Sequence, residues 1–261
     1  MPTSERPSLD ILLPLDRAAE RIPAQDDEHA LTALYAHPLP RAGADTWVRA
    51  NMIASLDGAA TGANRRSGSL NGDADLRVFR VLRAAADVVL IGAGTVRAEG
   101  YGPLDVPAEL AAARAARAQR PDLELAVISG SGPLPDALLD SARPPLVVTT
   151  SDRPDLAALR ARIGADRVLL AGDGHVDVAA ALRALAARGL VRVLAEGGPH
   201  ILGELLDAGL VDELCLTWSP LLAGGPAPRI VANPDWFSPA LTATPAHLLH
   251  SDAVLLGRWL L

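Results

Sequence analysis

The chain has 261 residues, a formal net charge of −7, 49% hydrophobic residues and 21% charged ones. That length holds one large α/β domain or two small ones, and the composition is that of a globular protein rather than a disordered one. The acidic balance argues against a nucleic-acid surface. Any anionic ligand must therefore be held locally, by single arginines or by backbone N–H groups at helix starts.

Residue types exclude more. All 24 basic residues are arginine, which removes Schiff-base lysine chemistry and the P-loop. Cys215 is the only cysteine, so neither an intrachain disulfide nor a cysteine-based zinc site is available. Its setting, LVDELCLTW, reads as a buried strand with an inert core thiol. The histidines are scattered apart from His247 and His250 in a strand-like tail, and no metal site is expected. Neither segment of a cytidine-deaminase zinc site is present. No apolar run approaches the roughly 18–20 residues of a membrane span. The N-terminal MPTSERPSLD lacks the pattern of a secretory signal. The expectation is a cytoplasmic protein with no membrane or nucleic-acid partner.

Residues 1–45 read as an irregular, proline-containing arm with a short helical candidate near Ala30–Ala36, able to wrap the domain or a partner subunit. Regular structure starts with WVRANMIAS, a strand ending at the turn signature SLDG. Asp73–Ala86 is predicted helical, with Leu76, Phe79, Val81, Leu82 and Ala86 as its apolar face. DVVLIG is a continuous apolar strand of the kind covered on both faces. GAGTVRAEGYGPL then forms a turn and a short helix start, and Glu109–Gln119 forms a helix. LELAVIS, PLVVTTS and RVLLAG are strands that alternate with helices at Pro154–Ile163 and Val176–Arg188. LVRVLAEGG runs into the helix Pro199–Ala208. The tail reads as strands alone: DELCLTWSPLL, APRIV, ALTATPAHLLH and AVLLGRWLL. Repeated βα units with a strand-rich end predict an α/β fold, a mostly parallel sheet with antiparallel edge strands. Residues 46–261 are read as one domain.

Three stretches have the makings of chemistry. Gly92-Ala93-Gly94-Thr95-Val96-Arg97 follows a strand, so its glycines and helix-start amides suit a phosphate, although Arg97 stands at the third glycine of a Rossmann fingerprint. A tight turn is the plain alternative. Glu196-Gly197-Gly198-Pro199-His200 lies where a strand meets a helix, a geometry that binds a diphosphate. Glu196 is either a site carboxylate or a helix-start charge. Asp57 in Ser55-Leu56-Asp57-Gly58 is either catalytic or a turn residue.

Together, NMIASLDGAAT at 51–61, the segment SGSLNGDADLRVFRVLRAAADVVLIGAGTVRAEGYGPL at 67–104 and LAEGGPHILGELLDAGLVDELCLTWSPLLAGG at 194–225 resemble the riboflavin-pathway pyrimidine reductase family. This is the C-terminal half of bifunctional deaminase–reductases, or a free-standing protein. The short arm before Trp47 is similar to the free-standing, actinobacterial type. The resemblance implies a dihydrofolate-reductase-like fold, a homodimer and NADPH as cofactor.

It also implies site residues. Ile53 and Ser69 would line the nicotinamide end. Thr95 and Glu99 would contact the cofactor from the glycine turn, with Gly92, Gly94 and Val96 around them. Gly197, Gly198, Pro199, His200 and Ile201 would take the diphosphate. The 2′-phosphate of NADPH needs a donor cluster, for which Ser129 and Ser131, or the Thr149–Arg153 segment, are the candidates. Ser67, Arg83 and Glu196 would hold a phosphorylated substrate, and Asp57 and Glu196 are the candidate catalytic carboxylates. The sequence departs from the family at Ala59, where many members are basic, and at GPLDV, where further basic contacts are expected.

The implied reaction is NADPH-dependent reduction of a 5-amino-6-ribosylamino-pyrimidine phosphate, with hydride going to the ribose C1′. A dihydrofolate- or pterin-type reductase of the same fold is one alternative, and a non-catalytic NADP-binding regulator is another.

Overall fold

The computed structural model describes residues 6–261. Its strands form one 11-stranded sheet. In chain order the elements are β1 (Leu9–Leu13), β2 (Arg21–Ile22), α1 (His29–Leu34), β3 (Trp47–Ser55), α2 (Asp73–Ala85), β4 (Val88–Gly92) and α3 (Ala93–Glu99). Then come α4 (Ala111–Ala116), β5 (Glu124–Ile128), α5 (Asp136–Leu139), β6 (Leu146–Thr149), α6 (Leu156–Ile163), β7 (Val168–Leu170), α7 (Val178–Ala186) and β8 (Arg192–Ala195). The chain finishes with α8 (Pro199–Asp207), β9 (Glu213–Ser219), β10 (Thr244–Ser251) and β11 (Val254–Leu260).

The sheet order is β2-β1-β10-β11-β9-β3-β8-β4-β5-β6-β7. From β9 to β7 all neighbours run parallel. The remaining four strands add antiparallel to one side. The parallel strands need cover on both faces, which is why VVLIG and the LAVI run of β5 are apolar throughout. Cover comes as two apolar clusters. One contains Val78, Val81 and Leu82 of α2 with Leu31 and Ile11. The other joins Leu182 and Leu185 of α7 to Leu202 and Leu205 of α8. Cys215 lies buried in β9, and burial pushes its thiol up to about 12, so it stays protonated and inert.

Three expectations change. The arm is not wholly irregular: it carries β1, β2 and α1 between residues 9 and 34. Ile11 of β1 faces Leu249 of β10, so the arm extends the sheet. It is clasped by Arg77 of α2, which donates to the Glu28 carboxylate and to the carbonyls of Pro7, Ile22 and Pro23. The apolar face of α2 holds at Val81, Leu82 and Ala86, which are buried as predicted, but differs nearer the start of the helix. Leu76 is exposed, while Ala74, Val78, Val81, Leu82 and Ala85 point inward. Finally, APRIV is not a strand but part of the extended connection from Ser219 to Thr244.

The chain leaves β3 for β4 and builds outward to β7, then returns to insert β8 between β3 and β4. At that insertion the connections diverge, the place where open α/β sheets bind ligands beyond their carboxyl ends. Ala195 of β8 sits level with Ala50 of β3 and Leu90 of β4.

Candidate active site

The ladder continues past the strand ends. Glu196 N–H donates to the Leu90 carbonyl at 3.0 Å and Gly92 N–H to the Gly197 carbonyl at 2.8 Å. This clamps the two glycine turns together, and helices α3 and α8 start side by side. A side chain would not fit between them. A Cβ on Gly198 would lie 2.5 Å from Thr95 Oγ1, and one on Gly92 would lie 3.0 Å from Ile201 Cγ1. Gly197 adopts φ +78°, a left-handed conformation natural to glycine.

In front of this junction lies a cavity of about 250 Å³, walled by Asn51, Met52 and Ile53 of β3, Asp75 and Phe79 of α2, Gly94, Thr95 and Glu99 of α3, Tyr101, Glu196, Gly198 and Pro199. The backbone at Gly94 and Gly198, free of side-chain bulk, fits the diphosphate of a dinucleotide at two helix starts.

Two acids dominate the walls. Glu196 is buried and accepts two parallel 2.7 Å hydrogen bonds from Arg83 Nε and Nη2. The Tyr101 hydroxyl donates a third, at 2.6 Å. Arg83 also stacks over Phe79, 4.1 Å from the ring centroid. Burial works against the guanidinium charge, but the Glu196 hydrogen bonds and charge outweigh it and hold Arg83 above its ordinary range. Tyr101 is raised well above the usual phenol, first by burial and then by the Glu196 charge, so it remains a donor. Glu196 therefore caps no helix; it ties α2 and the segment after α3 to the end of β8.

Asp75 is the second acid. It is buried, accepts a 2.6 Å hydrogen bond from Thr217 Oγ1 of β9, and has no cationic partner among the described residues. Burial pushes its carboxyl up to about 6, against the opposing effect of Thr217.

Of the residues singled out in the sequence, Ile53, Ser67, Gly94, Thr95, Glu99, Glu196, Gly198 and Pro199 line this cavity. Ser67 N–H donates to Glu99. Arg83 lines an adjoining hollow with Ser67, Glu99 and Tyr101. Other residues stand elsewhere. Asp57 is spent on its turn: Ser55 Oγ and the Ala223 and Gly224 amides all donate to it. Those donors, Ser55 foremost, lower its carboxyl to about 2. The geometry gives it a loop-holding role in place of the catalytic one.

Ser69 donates to the Arg66 carbonyl in a surface turn. The Val96 side chain is fully buried, and His200 is exposed on α8. Ser129 donates to the Gly132 carbonyl and accepts from Arg153, which is itself paired with Asp155. Sequence reasoning missed Asp75, Tyr101 and Met52 as wall residues. Asp75 reads as an ordinary acid in the first turn of a helix, and its partner Thr217 is 142 residues away. Among the described residues no cluster of His, Cys, Asp and Glu could hold a metal.

The fold and cavity define an α/β domain whose mostly parallel sheet carries a cavity at the carboxyl ends of its central strands. Residues 46–255 match the family described as the RibD C-terminal domain, and the chain belongs to that family. The chain is 29% identical, over 181 residues, to the 2,5-diamino-6-ribosylamino-4(3H)-pyrimidinone 5′-phosphate reductase of Archaeoglobus fulgidus, covering 69% of this chain and 82% of that one. It is also 29% identical to the riboflavin biosynthesis protein RibD of Mycobacterium tuberculosis over 188 residues, 71% of this chain and 44% of the relative. Among solved structures, a pyrimidine reductase-like protein from Corynebacterium diphtheriae superposes with a TM-score of 0.75 at 26% identity, covering 88% of this chain and 98% of that one.

Proposed function

We propose that the chain reduces the ribosylamino group of a 5-amino-6-ribosylamino-pyrimidine phosphate to its ribityl form, with NADPH as reductant. The observation that carries this reading is a single cavity in which side-chain-free helix starts face a buried, readily protonated acid. Gly94, Thr95, Gly198 and Pro199 hold the dinucleotide. When bound, the dihydronicotinamide supplies a hydride, which goes to C1′ of the ring-opened sugar. Asp75 supplies the accompanying proton to the developing anion and recovers it from solvent. Tyr101, Glu196 and Arg83 keep the facing wall rigid. Holding donor and acceptor in register supplies roughly 7–11 kcal/mol of barrier reduction. The test is purified protein with NADPH and enzymatically generated substrate. Cofactor binding without oxidation would count against the reading and leave the regulator alternative standing.

One observation favours a second reading. Asp75 is a carboxyl without a cationic partner among the described residues, suited to the paired ring N–H and amino donors of a pterin as well as to proton delivery to a ring nitrogen. Competition between dihydrofolate and the pyrimidine, compared as kcat/KM, ranks the two.

NADPH over NADH belongs to the same proposal and is read from the ratio of their KM values. A homodimer is supported by Leu214, Leu216 and Trp218 of β9 beside Leu255 and Trp259 of β11, a half-buried apolar strip on one sheet face. Light scattering at micromolar concentration checks it against the 27.1 kDa monomer. No helix among the described residues is long and apolar enough to cross a membrane, and we place the enzyme in the cytoplasm with a small-molecule substrate.

A further inference from the structure

The cavity has an unbalanced charge. Its walls carry three carboxyl groups, those of Asp75, Glu99 and Glu196, and one cation, Arg65. Arg83, the arginine that the family resemblance assigns to the substrate's anionic end, is bidentately committed to Glu196. Arg65 is in the opposite condition. Its side chain takes part in no ion pair or hydrogen bond among the described residues, and it is exposed at the cavity wall.

The turn that carries it is built. Arg65 N–H donates to the Gly62 carbonyl, Gly62 N–H to the Arg66 carbonyl, and Arg66 N–H to Asn64 Oδ1. These bonds hold Arg65 at φ +60°, a left-handed conformation that non-glycine residues enter sparingly. A flexible cation is thus anchored on a defined backbone, sharing the cavity wall with Ser67, Asn71 and Phe79. A guanidinium with its N–H fork unspent recognises a phosphate or carboxylate by paired hydrogen bonds.

We propose that Arg65, rather than Arg83, binds the anionic tail of the substrate, a phosphomonoester or a carboxylate, and so supplies the contact that Ala59 and the GPLDV segment lack. This deepens the reading of the site as a reductase for a substrate with an anionic tail and rests on it. Arg83 then acts only through Glu196, as a positioning residue.

The test measures dissociation constants by titration calorimetry on the NADP+-loaded full chain, so the outcome does not depend on turnover. Two ligand pairs separate the sources of the anion. One is the ribitylamino-pyrimidine with and without its 5′-phosphate; the other is dihydrofolate and the tail-free dihydropterin. Wild type is expected to prefer the anionic member of one pair. Arg65→Ala should cut that preference by about 10- to 30-fold, as for a charge-assisted hydrogen bond near the surface. Arg65→Lys should restore part of it. The preference should weaken with salt in wild type and lose that dependence in Arg65→Ala. Arg83→Lys should leave the ratio within each pair intact. A preference that survives Arg65→Ala, one lost through Arg83→Lys instead, or no preference in wild type for either pair overturns the proposal. Rates measured in parallel report separately on which substrate is reduced, so failure of the functional reading is visible by itself.

Discussion

Asp75 of α2 is held by Thr217 of β9 at 2.6 Å, a carboxyl and a hydroxyl paired inside the cavity with no cation beside them among the described residues. A carboxyl in that setting favours its neutral form, and this has two measurable consequences.

Both are dependences on pH, one of stability and one of turnover. The folded-state value of Asp75, about 6, lies above the ordinary 3.8. The folded protein therefore binds the extra proton in that window, and the contribution to stability is full below about pH 4 and lost as pH rises through 6. A displacement of this size corresponds to roughly 3 kcal/mol. Urea denaturation across pH should show that fall in wild type and its absence in Asp75→Asn. If the protonated acid is the proton donor, kcat declines above about pH 6 in wild type. In Asp75→Asn, kcat should drop by about 100-fold or more, with that inflection gone. An unchanged inflection in the variant would remove Asp75 from the chemistry.

Glu196→Gln keeps the shape and deletes the charge that Arg83 and Tyr101 share. Hydrogen bonds to charged groups are typically worth about 1.5–3 kcal/mol. We expect kcat/KM to fall by about 10- to 150-fold, using about 1.4 kcal/mol per tenfold, and the melting temperature to drop because Arg83 loses its counter-ion. NADPH affinity should hold. A variant that melts earlier with unaltered turnover would make the Arg83–Glu196 pair purely structural.

Gly198→Ala places a methyl 2.5 Å from Thr95 Oγ1. Overpacking of this kind typically costs about 1–3 kcal/mol. NADPH binding, followed by fluorescence titration, should weaken by about 10- to 100-fold as the two helix starts separate. The Thr95→Ala, Gly198→Ala double variant should bind more tightly than Gly198→Ala alone. Wild-type affinity in Gly198→Ala would show that the dinucleotide does not lie over this junction.

Arg77→Met tests the arm. Arg77 and Glu28 are both nearly fully buried, and removing the cation strips the Pro7, Ile22 and Pro23 carbonyls of their donor. Breaking such a pair typically costs about 3–5 kcal/mol, to be read from chemical denaturation. A loss below about 1 kcal/mol would mean the arm docks independently of Arg77.

Strands β4 to β8 were legible because each is built on a short apolar run close to a glycine or proline. The glycine turns were legible because backbone chemistry depends on local residue types. Three things stayed hidden for one physical reason: they depend on groups distant in sequence. Asp75 gains meaning only beside Thr217, and Arg83 loses its freedom only because Glu196 turns toward it. The arm joins the sheet only because β10 offers it an edge. Asp57 went the other way. Its neighbours Ser55 and Gly58 marked a turn, and the loop at Ala223–Gly224 completed it.

The placement of β8 between β3 and β4 sets an order of assembly. Until Arg192–Ala195 has left the ribosome, β3 and β4 each present a naked hydrogen-bonding edge, and the pocket has no floor. Trp47 of β3 must then wait a further span for Glu213, its partner 166 residues on. Such long-range closure slows folding and leaves edges open to pairing between chains. Fragments that end before β8 are therefore expected to aggregate rather than bind cofactor, and dividing this enzyme into two complementing halves between β7 and β8 would demand that the second half thread into a waiting slot.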